Sequence, residues 1–341
     1  MLARNSRDRA HAEMAKPRVL PIRENRKAAL DYWIRFCRSP GVLAHRSQMM
    51  SKDRAELLGN RAHDGIVATI DASRLGGYLL ANAADQLVAA DKSGWQQTAE
   101  ALAVGYLGSE LMRHLRERSP QLYCRQNNHD LYYIAFHAVL AGLRLWPEAD
   151  CLGRHLMNFW LARGVDNGLR EQDDYLGFYG YLMRAQYRGE WPAPAELDPS
   201  ELGDFYPLFE TAGKPQKFRS ALVEYCDFRL ARMHEYPSQR ATRRYPEPHT
   251  DALTYGPLLL LPAELLAFKA IYERVSGDRC DLQGEHPLLE NIAFDPPEGL
   301  GLPENDLTAA TEETGKAVYG ADWRPGALVE VRFDDPPTLP P

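Results

Sequence analysis

Residues 129–183, HDLYYIAFHAVLAGLRLWPEADCLGRHLMNFWLARGVDNGLREQDDYLGFYGYLM, set three aromatic-rich helical periods in a row with short breaks between them. In the first, Leu131, Ile134, Ala138, Ala141 and Leu145 recur at steps of three and four, the spacing that aligns one face of a helix, and Pro147 stops the run. Leu152, Leu156, Phe159 and Trp160 form a second stripe closed by Gly164, and Tyr175, Phe178, Tyr179, Leu182 and Met183 form a third. A helix with such a stripe must bury it on a neighbour. The chain is therefore expected to be all-α, built of packed helical hairpins in two closely associated lobes.

The flanking sequence extends this pattern. Residues 1–23 lack periodicity and read as a basic arm. Ala29, Trp33, Ile34 and Cys37 then predict a helix ended by Ser39-Pro40-Gly41. A long helical stretch runs from Lys52 to Ala90, with Gly76-Gly77 as a point of breakage or bending, and another carries Trp95, Leu102, Tyr106, Leu111 and Leu115 up to Ser119-Pro120. The proline-rich segment GEWPAPAELDPSELGDFYP, from Gly189, marks the border between a lobe at 24–190 and a lobe at 191–294. In the second lobe Phe218, Leu222, Tyr225, Phe228 and Met233 predict one helix. Leu265, Phe268, Ile271, Tyr272 and Val275 predict another, with Pro262 suited to its first turn. Residues 295–341 read as an irregular acidic, proline-rich tail in which only Ala327 to Phe333 alternates like a strand.

The net charge of -7 is unevenly spread. Residues 1–54 hold 13 Lys/Arg against 5 Asp/Glu, a balance of +8, which leaves -15 for the rest. Gly277 to Pro341 alone holds 4 basic and 14 acidic residues. Such a surface repels nucleic acid and favours a basic protein partner, because complementary potentials steer encounter. No run approaches the roughly 20 apolar residues of a membrane helix, and no apolar stretch of export-signal length follows the N-terminus, so the expected location is the cytoplasm.

Motifs for chemistry are sparse. The chain has no G-x-x-x-x-G-K-[ST], G-x-G-x-x-G, H-E-x-x-H, C-x-x-C or G-x-S-x-G. The five cysteines are widely spaced, most of them within apolar helical periods, and are expected to be reduced; Cys151 and His155, one helical turn apart, make at most half a zinc site. The dipeptides His63-Asp64 and His129-Asp130 are the kind used by all-helical metal-dependent phosphohydrolases, where a held metal activates water. Asp130 equally suits an ordinary helix start. Glu171, Asp173 and Asp174 cluster ahead of Tyr175, at a helix beginning where the dipole favours acids and where a basic partner could dock. Tyr255-Gly256-Pro257 leads through Leu258 to Leu261 into a helix begun by Glu264. Neither a metal nor a cofactor is called for.

The order of these segments resembles the PoNi-like immunity proteins, helical partners of secreted bacterial nuclease toxins. The resemblance covers roughly residues 24–293. It rests on the leucine-rich helix, acidic loop and acidic-aromatic helix from Asp130 to Met183, on the long helix Lys217 to His234, and on Glu264 opening Leu265 to Ile271. Where that family carries a glycine-aromatic-aromatic-serine run before the glutamate, this chain has Leu258-Leu-Leu-Leu261-Pro-Ala. The resemblance implies a non-enzymatic protein of the cytoplasm that neutralises a toxin, with a DNase delivered by type VI secretion as the expected partner. Surface residues Glu171, Asp173, Asp174, Tyr175, Tyr255 and Glu264 are then the expected contacts. The competing expectations are the metal-dependent phosphohydrolase and a helical adaptor.

Overall fold

The computed structural model describes residues 22–59, 65–118, 129–163, 174–242, 260–282, 284–290 and 296–326. It is all-α, with no strand among the described residues. The helices are α1 (Arg26–Cys37), α2 (Pro40–Gly59), α3 (Gly65–Val88), α4 (Gly94–Arg118), α5 (His129–Gly142), α6 (Trp146–Arg163), α7 (Asp174–Arg188), α8 (Pro199–Leu202), α9 (Tyr206–Thr211), α10 (Pro215–Thr242), α11 (Ala263–Ser276) and α12 (Asp306–Tyr319). Short 3-10 turns lie at Ile22–Glu24, Pro194–Glu196 and Gly203–Phe205.

The antiparallel pair α3 and α4 forms one side of the molecule, joined by a turn in which the Asp91 carboxylate accepts from the Ser93 amide at 2.9 Å. Gly76-Gly77, expected to break or bend the helix, lies inside an uninterrupted α3. The reason is close packing. A Cβ on Gly76 would stand 2.9 Å from Gly105 Cα of α4, and one on Gly77 would meet the Tyr132 ring of α5 at 2.1 Å. Glycine costs about 1 kcal/mol in a helix interior, which the closer approach of backbones and rings offsets.

Helix α11 is the hub of the other side. It packs on α5 and α7, and Ala263 to Phe268 are all buried. The Phe268 ring stacks on Phe178 (6.3 Å between centroids) and Phe218 (5.7 Å) and meets Trp191 (5.2 Å) and Phe209 (5.4 Å) edge-on. Each aromatic pair adds about 0.5–1.5 kcal/mol beyond its buried area. One hydrophobic cluster runs from Ala29 to Leu289 and crosses residue 191, so the two lobes share a core. Pro262 sits one position earlier than expected, at the N-cap of α11.

The supposedly irregular tail contains α12, begun by Asn305, whose side chain accepts from the amides of Leu307 and Thr308. Local capping makes a helix out of an acid- and threonine-rich stretch that has too few apolar residues to show a clear period. The alternating stretch from Ala327 lies outside the described residues. Cys37, Cys151, Cys226 and Cys280 are buried and joined in no disulfide. No helix among the described residues is long and apolar enough to cross a membrane.

Candidate functional site

Glu171, Asp173 and Tyr255 lie outside the described residues, and Asp174 and Tyr175 are the first two residues of α7. What the structure adds is the neighbour of that helix start. A Cβ on Gly177 would fall 1.9 Å from the carbonyl oxygen of Glu201, so the first turn of α7 lies directly against α8. The segment 189–213 carrying α8 holds Glu190, Glu196, Asp198, Glu201, Asp204 and Glu210 and has no lysine or arginine. All of these acids except the half-buried Glu201 are exposed, while Leu197, Leu202, Phe205, Leu208 and Phe209 between them are buried. The alternation of acids with inward apolar residues makes an acidic ridge.

The ridge is pinned rather than draped. The Tyr181 hydroxyl of α7 accepts from the Asp198 amide at 3.0 Å and donates to the Glu196 carbonyl at 3.1 Å. Glu196 Oε2 accepts from the Ala193 amide at 2.8 Å. Asp198 Oδ1 accepts from the Ser200 hydroxyl and amide, bonds that hold this carboxyl below its ordinary range. Phe205 stacks on Phe178 at 4.3 Å and Trp191 on Phe209 at 5.1 Å. A surface fixed in this way loses little conformational entropy on meeting a partner.

Glu264 is corrected by the structure: it is fully buried and cannot serve as a surface contact. Its Oε1 accepts from Arg229 Nε at 2.7 Å and from the Tyr225 hydroxyl at 3.0 Å. Arg229, also fully buried, sends Nη2 toward the Leu261 carbonyl at 3.4 Å. Burial opposes the Arg229 charge, but Glu264 with Tyr225 and Cys226 together raise its pKa; burial and then Glu264 push the Tyr225 hydroxyl well up. The start of the central helix faces α10, not solvent, and its carboxylate answers a cation from that helix. Arg229 escaped the sequence reading, although a charge at the middle of the stripe Tyr225, Arg229, Met233 was the available signal.

A second charged centre was missed entirely. Asp53 of α2 and Asp71 of α3 are buried and Glu56 is half-buried, and one carboxylate oxygen from each lies within 4.8 Å of the others. Arg74 reaches into the group, with Nη2 2.5 Å from Asp53 Oδ1 and 2.7 Å from Asp71 Oδ1, and Nε 3.1 Å from Asp53 Oδ2. Three carboxylates thus meet one guanidinium. Burial pushes the Asp71 carboxyl up to about 6 despite Arg74, and raises that of Asp53 as well. Such a group can take up a proton or attract a hard cation, although Arg74 already engages both oxygens of Asp53.

The remaining candidates carry less chemistry. His63-Asp64 and the side chains of His129-Asp130 lie outside the described residues. Burial pushes the Cys151 thiol up to about 11, a protonated state opposite to that of a metal-binding thiolate. His137 is fully buried and pushed down to about 4 by burial. His286, also buried and lowered to about 4 by burial, accepts from the Leu288 amide at Nδ1 (3.1 Å) and turns Nε2 toward Asp227 Oδ1 at 3.4 Å. Asp227 is in turn held by Arg26 at 2.7 and 2.8 Å, tying α1 to α10. No family model, curated protein or solved structure matches the chain.

Proposed function

We propose that this chain is an immunity protein of the cytoplasm that binds a basic nuclease toxin and covers its active-site region. The observation that carries the reading is the pinned acidic ridge at 189–213, packed at Glu201 against Gly177 of α7. A nuclease presents positive charge where it holds phosphates, and a rigid array of carboxylates competes for that surface. The resemblance to PoNi-like proteins in segment order supports the same reading. Glu264 has no part in the interface and serves the core.

The test is co-expression of the chain with the toxin encoded beside it, scoring growth and co-purification. Protection with a stoichiometric complex is expected. Glu190→Lys with Glu210→Lys, both at exposed positions, should slow association about tenfold and flatten its salt dependence, since rim charges act chiefly on the encounter rate. Unchanged association kinetics in that variant would remove the ridge from the interface, and absence of protection would end the immunity reading. The metal-dependent phosphohydrolase reading has one observation on its side, the Asp53, Glu56 and Asp71 group. Arg74 stands against it, and metal analysis of the purified chain separates the two.

A further inference from the structure

Helix α12 and the turn after it, residues 304–326, lie across α2, α3 and α4. They contribute no buried side chain to the main core. Leu307 joins Leu57, Ala72, Leu75 and Val104 in one small cluster, and Trp323 joins Leu107 and Leu111 in another. The rest of the inner face is small or hydroxylated: Thr308, Ala310, Thr311, Thr314 and Gly315. Each threonine hydroxyl donates to a carbonyl of its own segment, Thr308 to Asn305 at 2.9 Å, Thr311 to Leu307 at 2.7 Å and Thr314 to Ala310 at 2.9 Å. These bonds, and the Asn305 cap, move with the helix. Lifting α12 therefore strands none of the three hydroxyls, which removes the usual penalty for separating a polar interface.

Two hydrogen bonds and two ring contacts tie the end of the segment to α4. The Tyr319 hydroxyl donates to the Leu111 carbonyl at 3.2 Å, and the Gly326 amide donates to Glu110 Oε2 at 3.0 Å. The His114 ring of α4 stacks on Tyr319 (5.5 Å) and meets Trp323 (5.9 Å). Trp323 is seated only because residue 315 is glycine: a Cβ there would stand 2.4 Å from its ring. Under this end lie Glu110 and Arg113, a buried ion pair at 3.2 Å.

We propose that residues 304–326 form a strap that unlatches as a unit, with α12 still helical, while the helices beneath stay folded. Unlatching takes the Gly326 amide from Glu110 and the Tyr319 and Trp323 rings from His114. Segments of low local stability open in this way, as contiguous units. Native-state hydrogen exchange on the full chain, followed by mass spectrometry, tests it. In the unaltered protein the amides of 306–319 should exchange through one shared opening, on the order of 100-fold more readily than those of α3 and α4. Gly315→Ala favours the isolated helix while evicting Trp323, so it should cost α12 a further tenfold or more of protection and leave the first half of α4 unchanged. The proposal fails if α12 exchanges at the rate of the α3–α4 pair, if Gly315→Ala lowers protection across all helices alike, or if that variant does not fold.

Discussion

Arg229 and Arg74 each reach from one helix to a carboxylate on another, but they keep unlike company. Among the described residues Arg229 meets one carboxylate, Glu264, in a site closed to water on both sides. Arg74 is one-quarter exposed and meets three, Asp53, Asp71 and the more distant Glu56. The first site pairs a buried cation with a buried carboxylate and fixes how α10 sits against α11. The second carries surplus negative charge at the α2–α3 junction and must answer to pH or to cations. The same residue types thus give a fixed joint in one region and an adjustable one in the other.

The comparison breaks most sharply at Glu264. Glu264→Leu removes the carboxylate that answers the buried Arg229 charge and should cost about 3–5 kcal/mol, seen as a lower denaturant midpoint. The double variant Glu264→Leu with Arg229→Met should recover most of that loss, because replacing both members removes the buried charge; no recovery would mean that the pair does more than balance itself.

Acid should act oppositely on the two regions. His137 and His286 in the main core have folded pKa values near 4, below their unfolded value, so the stability they contribute is present above about pH 6.5 and lost as pH falls towards 4. Each accounts for about 1.4 kcal/mol per pH unit in that window. Asp71, raised to about 6, does the reverse: its contribution is present below its unfolded pKa and lost as pH rises through 6. Whole-chain stability should fall between pH 6.5 and 4.5, while hydrogen exchange at the α2–α3 junction slows relative to the core. A junction that loosens in step with the core would contradict the assignment of Asp71.

Smaller effects follow at the junction itself. Arg74→Met should cost about 1 kcal/mol at pH 8 and less at pH 5, where the carboxylates take up protons instead. Asp71→Asn should stabilise the protein at pH 8 by less than about 1 kcal/mol and flatten that dependence, which a pair of thermal melts would reveal.

Much of this architecture was legible because helices with broad apolar stripes announce themselves by period. Phe178, Tyr179, Leu182 and Met183 were read correctly as core on that ground. What escaped depends on contacts distant in the chain. Gly76 looks like a helix breaker until Gly105 is placed opposite it, and Asp53 and Asp71 share a site only because two helices fold together across residues 60–64. Glu264 looked like a first-turn acid facing solvent; only its pairing with Arg229, 35 residues earlier, shows why it is buried. The acidic ridge was read as a connection, because its prolines marked a boundary and its inward Leu197, Leu202 and Phe205 are too irregularly spaced to show a helix. Helix α12 was hidden by composition, with Asn305 as the local sign of its start.

The buried thiols give the fold an internal record of its own motions. Burial pushes Cys151 up to about 11 and Cys280 up to about 12, and raises Cys226 as well, so these three sites offer almost no thiolate to an alkylating reagent or an oxidant. Cys37 lies in α1, Cys151 in α6, Cys226 in α10 and Cys280 just after α11. Alkylation at each site then proceeds only as fast as its surroundings open. Four sulfur atoms become four separate clocks, each started by the loosening of its own part of the core.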